Sequence, residues 1–127
     1  MDRIRDVAYG GDSQKVIDKW PMEVREIINT NLQALQNSKV SSFSDLPDWV
    51  NQGSASEKAL KGHDLKGARQ LTIKHRNSYR VAYIAEFEDV VVVLHCFKKQ
   101  TEGRQSKDMK TVAARLAGAY GEFSYKT

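Results

Sequence analysis

The sequence predicts an α+β fold, with N-terminal helices and a C-terminal helix packed on a three- to four-stranded antiparallel sheet. Three observations predict it. Apolar residues recur at helical spacing near both ends, at Val24, Ile27, Ile28, Leu32 and Leu35, then at Met109, Val112, Ala113, Leu116, Ala117 and Tyr120. Between them, residues 69–97 change to a two-residue period rich in β-branched and aromatic side chains. The turns within that stretch are short, which makes successive strands antiparallel. The 127 residues, 40% apolar and 28% charged, are expected to form one globular domain over 1–127.

Taken in order, Ile4, Val7 and Tyr9 lead to Gly10-Gly11 and read as a short edge strand. Asp12-Ser13 is placed to cap a helix carrying Val16, Ile17 and Trp20 on one side. Pro21 either opens a second helix, where its missing N–H costs nothing, or kinks a continuous one. The N-terminal strand and helices thus occupy residues 1–36. A connection follows over 37–68, its first half rich in Ser, Asn, Asp and Gly. Phe43, Leu46, Trp49 and Val50 are expected to pin it to the core, and Glu57 to Lys61 to make a further turn ended by Gly62.

The β-meander spans 69–97. Leu71 and Ile73 alternate with Gln70, Thr72, Lys74 and Arg76; Asn77-Ser78 are turn residues. Strands over Tyr79–Phe87 and Val90–Phe97 follow, separated by Glu88-Asp89. The run Val90–Leu94 is too apolar for a half-exposed strand and belongs in the centre of the sheet. After a polar loop, Ser106 is placed to cap a helix over 106–120 that ends at Gly121, leaving 121–127 as a tail. The helices are expected on one face of the sheet.

Several functions are disfavoured. Nothing longer than the five residues Val90–Leu94 is continuously apolar, far short of a membrane span. The N-terminal MDRIRDVAYGG lacks the apolar core of a secretion signal, so the expected location is cytoplasmic. One cysteine, Cys96, makes no internal disulfide and reads as a packing residue. His63, His75 and His95 are too widely spaced for a recognisable metal motif, and no phosphate-binding glycine signature exists. No metal or cofactor is expected.

Charge is the informative quantity. Residues 1–60 carry a net −2 and residues 61–127 a net +6, with all three histidines in the basic half. Such asymmetry fits an acidic partner, with nucleic acid the commonest, although it also fits simple solubility. Lys74 and Arg76 share one strand face, Arg80 opens the next strand, and Lys98-Lys99 close the third. Pairing Arg76 with Arg80 puts Lys74, Arg76 and Arg80 on one face. Pairing His75 with Arg80 inverts Arg80. The pattern fits equally a cation pocket for a phosphodiester and a solvated sheet face.

Residues 70–84 read Q-L-T-I-K-H-R-N-S-Y-R-V-A-Y-I, residues 89–99 read D-V-V-V-V-L-H-C-F-K-K, and the last helix contains V-A-A-R-L. Their order and spacing over Leu60 to Leu116 resemble the RelE/ParE toxin superfamily, and within it the phage-derived HigB-like branch. The resemblance implies a small RelE-like fold and the toxin of a type II toxin–antitoxin system, a metal-independent mRNA endoribonuclease that inhibits translation. The implied partners are a cognate antitoxin, a small helix-turn-helix protein, together with mRNA, either free or on the ribosome, with no membrane involved. By position, Lys74, Arg80 and Lys99 match the basic residues that such toxins place around the scissile phosphate. Arg76, Lys98, Lys107 and Lys110 would bind RNA. The chain departs from the pattern at Thr72, where a second cation is usual, and at Met109, near the position of a catalytic tyrosine. His95, Tyr79 and Tyr125 are the candidates for the missing acid or base. The alternative is a nuclease-inactive or ParE-like relative that acts by binding a protein or RNA target.

Overall fold

The computed structural model describes residues 5–38, 40–46, 55–99 and 104–123. The elements run β1 (Asp6–Tyr9), α1 (Ser13–Asp18), α2 (Met22–Gln36), β2 (Ala55–Ala59), β3 (Arg69–His75), β4 (Asn77–Ile84), β5 (Val90–Lys98) and α3 (Arg104–Glu122). Short 3₁₀ turns lie at Phe43–Asp45 and His63–Leu65. Leu46 is buried against the core, as expected, whereas Trp49, Val50 and the Phe43 side chain lie outside the described residues. Pro21 separates two helices and sits at the N-cap of α2, its carbonyl accepting from Arg25 N–H at 3.0 Å.

The sheet has five strands in the order β1-β5-β4-β3-β2. All neighbours are antiparallel except the edge pair β1 and β5, which is parallel. The expectation of three or four strands is therefore short by β2, which occupies most of the segment read as a turn at Glu57–Lys61. Its sequence, ASEKA, is poor in strand-forming residues. Pairing to β3 from Ala55↔Ile73 to Ala59↔Arg69 makes it a strand instead. Glu57 fastens the pairing: its carboxylate accepts from Arg69, Ser44 and, at 3.1 Å, the Tyr83 hydroxyl.

A second correction concerns the helices, which cover both faces of the sheet. Ile17, Trp20, Val24, Ile28, Leu32 and Leu35 from α1 and α2 pack on Leu71, Ile73, Val81, Tyr83, Val91 and Val93. Val112, Leu116 and Ala119 from α3 pack on the other face, against Ala82, Ile84, Val92 and Leu94. Two covered faces explain why Val90–Leu94 is apolar without alternation. The last helix also starts two residues before Ser106 and runs through Gly121 to Glu122.

The turn between β3 and β4 is tighter than either register considered. Arg76 alone makes it, with a left-handed φ of 67° that is uncommon for a non-glycine residue. Asn77 and Ser78 join the ladder, with His75↔Asn77, Lys74↔Ser78 and Thr72↔Arg80 as partners. β4 ends at Ile84, before the expected Phe87. Between β4 and β5 the register shifts, so that Leu94 is an extra residue between the pairs Tyr83↔Val93 and Ala82↔His95. This bulge puts Leu94 and His95 on the α3 face together, while Cys96 returns to the α1/α2 face.

Candidate functional site

The β3–β4 turn and the end of β5 enclose a cavity of about 520 Å³ lined by Lys74, Arg76, Asn77, Ser78, Lys98 and Lys99. Each element supplies its cation for a local reason. Lys74 is an outward residue of β3, opposite Ser78. Arg76 is at the turn itself, and Lys99 is held in line by its N–H donating to the Ser78 carbonyl at 2.8 Å. Lys98 is opposite Tyr79 and sits 5.6 Å from that ring's centre, a cation–π contact. Lys74, Arg76, Lys98 and Lys99 are all exposed, and no carboxylate lines the cavity among the described residues. Among the described residues none of the four is in an ion pair. Four side-chain cations around one opening make its local potential positive.

Arg80 is set apart from that group. The register places it diagonal to Lys74 on one face, a separation of roughly 7–8 Å. Yet it lines a different recess, of about 160 Å³, together with Ser56, Glu57, Lys58, Gln70 and Thr72. Its Nε is buried without a hydrogen-bond partner. Of the expected catalytic trio, Lys74 and Lys99 converge and Arg80 is their neighbour. Lys107 and Lys110 are exposed on α3, away from both recesses.

The acid–base candidates sit elsewhere. His95 has both ring nitrogens engaged: Nε2 is 2.8 Å from Asp108 Oδ1, and Nδ1 is 3.3 Å from Arg115 Nη1. An arginine can only donate, so Nδ1 accepts and the proton lies on Nε2, toward Asp108. The ring also stacks on Phe97, with centroids 5.2 Å apart. Arg115 continues the chain of contacts to the Leu94 carbonyl at 2.9 Å and to Asp12 at 3.6 Å. Tyr79 belongs to the core on the α1/α2 face, edge-on to Trp20 at 5.0 Å. Tyr125 lies outside the described residues. Cys96 is buried, and that burial pushes its thiol up to about 12, far from a reactive thiolate.

The pattern reading missed the His95–Asp108–Arg115 cluster. Asp108 and Arg115 are seven residues apart, two helical turns, so the spacing did put them on one face of α3. Which strand residue they would meet depended on the bulge at Leu94. Among the described residues no group of three or more His, Cys, Asp or Glu side chains is placed to hold a metal. Nor is any helix there long and apolar enough to cross a membrane.

A two-layered helix cover on a mostly antiparallel five-stranded sheet, with cations gathered at one hairpin tip, is consistent with a small RelE-like fold. The pattern of the family described as "Phage derived protein Gp49-like" matches residues 15–117, and the chain belongs to that family, which is one of RelE-like toxins. No curated protein and no solved structure matches the chain. Membership in a toxin family implies an antitoxin partner.

Proposed function

We propose that the chain is the toxin of a type II toxin–antitoxin pair of the HigB-like branch and cleaves mRNA in the cytoplasm. The observation that carries this reading is the cation-lined cavity at the hairpin tip, where Lys74 and Lys99 converge beside Arg76 and Lys98. In the chemistry that the resemblance implies, the RNA 2′-oxygen attacks the adjacent phosphorus as its proton leaves. The bond to the 5′-oxygen then breaks, and that oxygen takes up a proton. The products are a 2′,3′-cyclic phosphate and a free 5′-hydroxyl. Charge accumulates on the phosphoryl oxygens in between, and Lys74 and Lys99 are the fixed cations that stabilise it there. Arg76 and Lys98 hold the flanking backbone. The partners proposed are mRNA, with or without the ribosome, and a small helix-turn-helix antitoxin drawn to the basic half.

A second reading, binding without cleavage, draws on the acid–base candidates. His95 is saturated, Tyr79 is buried on the other face, and Thr72 replaces a cation. Expression of the chain alone separates the two. The expected result is growth arrest with mRNA fragments ending in cyclic phosphate, and a loss of cleavage rate of ~10²–10³ in a folded Lys74→Ala variant. Arrest with intact mRNA would overturn the nuclease reading in favour of a binding target. Full cleavage by Lys74→Ala would remove the tip cavity from the chemistry.

A further inference from the structure

We propose that the recess between β2, β3 and β4 is a second phosphate subsite, which holds the RNA phosphodiester next to the one at the hairpin tip, with Lys58 and Arg80 as its cations. This rests on the RNA-binding reading above and adds a strand that the sequence did not reveal. The ladder lays out residues on this sheet face in rows. Lys74, Ser78 and Lys99 form the row at the tip. Ser56, Thr72, Arg80 and Phe97 form the next, and Lys58 and Gln70 are paired in the row beyond. Neighbouring rows are two residues apart along a strand, ~6.6 Å at 3.3 Å per residue. That is about one step of a single-stranded backbone, so the neighbouring phosphate falls on the Arg80 row, in the recess that Lys58 lines from the row beyond.

The recess has the chemistry for such a group. Lys58 and Arg80 are in no ion pair among the described residues, and the buried Arg80 Nε lacks a partner. Glu57, the one acid among the described lining residues, pairs with Leu71 of the α1/α2 face, and its carboxylate is taken up by Arg69, Ser44 and Tyr83. Ser56 and Thr72 add hydroxyls and Gln70 an amide, all able to donate to phosphate oxygens. Lys58 comes only from β2, and so the subsite exists only because Ala55–Ala59 joins the sheet.

The test uses the full chain and three non-cleavable 2′-deoxy dinucleotides, one bare, one 5′-phosphorylated and one 3′-phosphorylated, titrated by NMR at several salt concentrations. One of the two terminal phosphates is expected to tighten binding about tenfold over the bare dinucleotide. Lys58→Ala should erase that gain, lower the salt slope for that ligand by about 0.7, and leave the bare dinucleotide within about twofold. Lys58→Arg should restore the gain. No gain from either phosphate, or a gain that survives Lys58→Ala, overturns the subsite. Lys74→Ala reports separately on the tip cavity, since it should weaken all three ligands alike. If it weakens none while the gain still depends on Lys58, the tip reading fails and the subsite stands.

Discussion

On the side of the sheet covered by α1 and α2, the charges of Arg5 and Glu57 have several fixed partners, although the Nε of Arg5 and of Arg25 are buried without one. Arg5 is 2% exposed, and its guanidinium donates to the carbonyls of Leu35 at 2.7 Å, Val40 at 2.8 Å and Ala85 at 2.9 Å. It closes the C-terminus of α2, where the helix dipole favours a cation. Glu57, with a side chain 4% exposed, is tied to Arg69, Ser44 and Tyr83. On the opposite face, beyond the reach of α3, Lys58, Lys74, Arg80 and Lys99 share a surface without carboxylate partners among the described residues. One region uses charge to fix a fold, the other leaves its cations without ion-pair partners among the described residues. Clustered like charges repel in the free protein, and an anion relieves that repulsion when it binds.

The comparison breaks most sharply at Arg5. Arg5→Met should destabilise the fold by about 3–5 kcal/mol in urea unfolding, because several buried carbonyls lose a charged donor at once. RNA affinity per folded molecule should not change. A loss below about 1 kcal/mol would show that water replaces the guanidinium, and that the two regions do not differ in how they use charge.

Glu57 offers a smaller effect with a defined pH signature. Burial raises its carboxyl, but the hydrogen bonds from Arg69 and Ser44, the Arg69 charge and the Tyr83 hydroxyl outweigh this and hold it below the ordinary 4.5. Its contribution to stability is therefore whole above that value and is lost as pH falls through the lower folded value. Glu57→Gln should cost about 1–3 kcal/mol at neutral pH and flatten the decline in Tm below about pH 4.5. An acid limb identical to the wild type would remove Glu57 from the paired set.

The smallest effect belongs to the outlying cations. Lys107→Ala and Lys110→Ala, on the exposed side of α3, should each weaken RNA binding two- to threefold and lower the salt slope by about 0.7. Unfolding should be unchanged. No change in the salt slope would confine the open-charge region to the sheet face.

Elements that bury a periodic stripe were readable from the chain alone. Of the α2 stripe, Val24, Ile28, Leu32 and Leu35 are at most 3% exposed and Ile27 is partly buried, while the Val90–Leu94 run lies on β5, an interior strand between β1 and β4. Local boundaries were less so. Asn77-Ser78 has turn-like composition, but Arg76 takes the turn because the ladder continues through both.

The sequence by itself determined the α+β class, the basic half and the cations at the ends of the meander, since these follow from period and composition. Tertiary structure decided the rest. ASEKA has no strand signal and becomes β2 through its pairing with β3 and the Glu57–Arg69 contact, partners distant in sequence. The bulge at Leu94 turns His95 toward Asp108 and Arg115, and thereby decides that both its nitrogens are occupied. Register sets which cations share a recess, because a shift of one residue reverses every side chain on a strand. That is why Lys74 meets Lys99 at the tip while Arg80 lines the recess with Lys58.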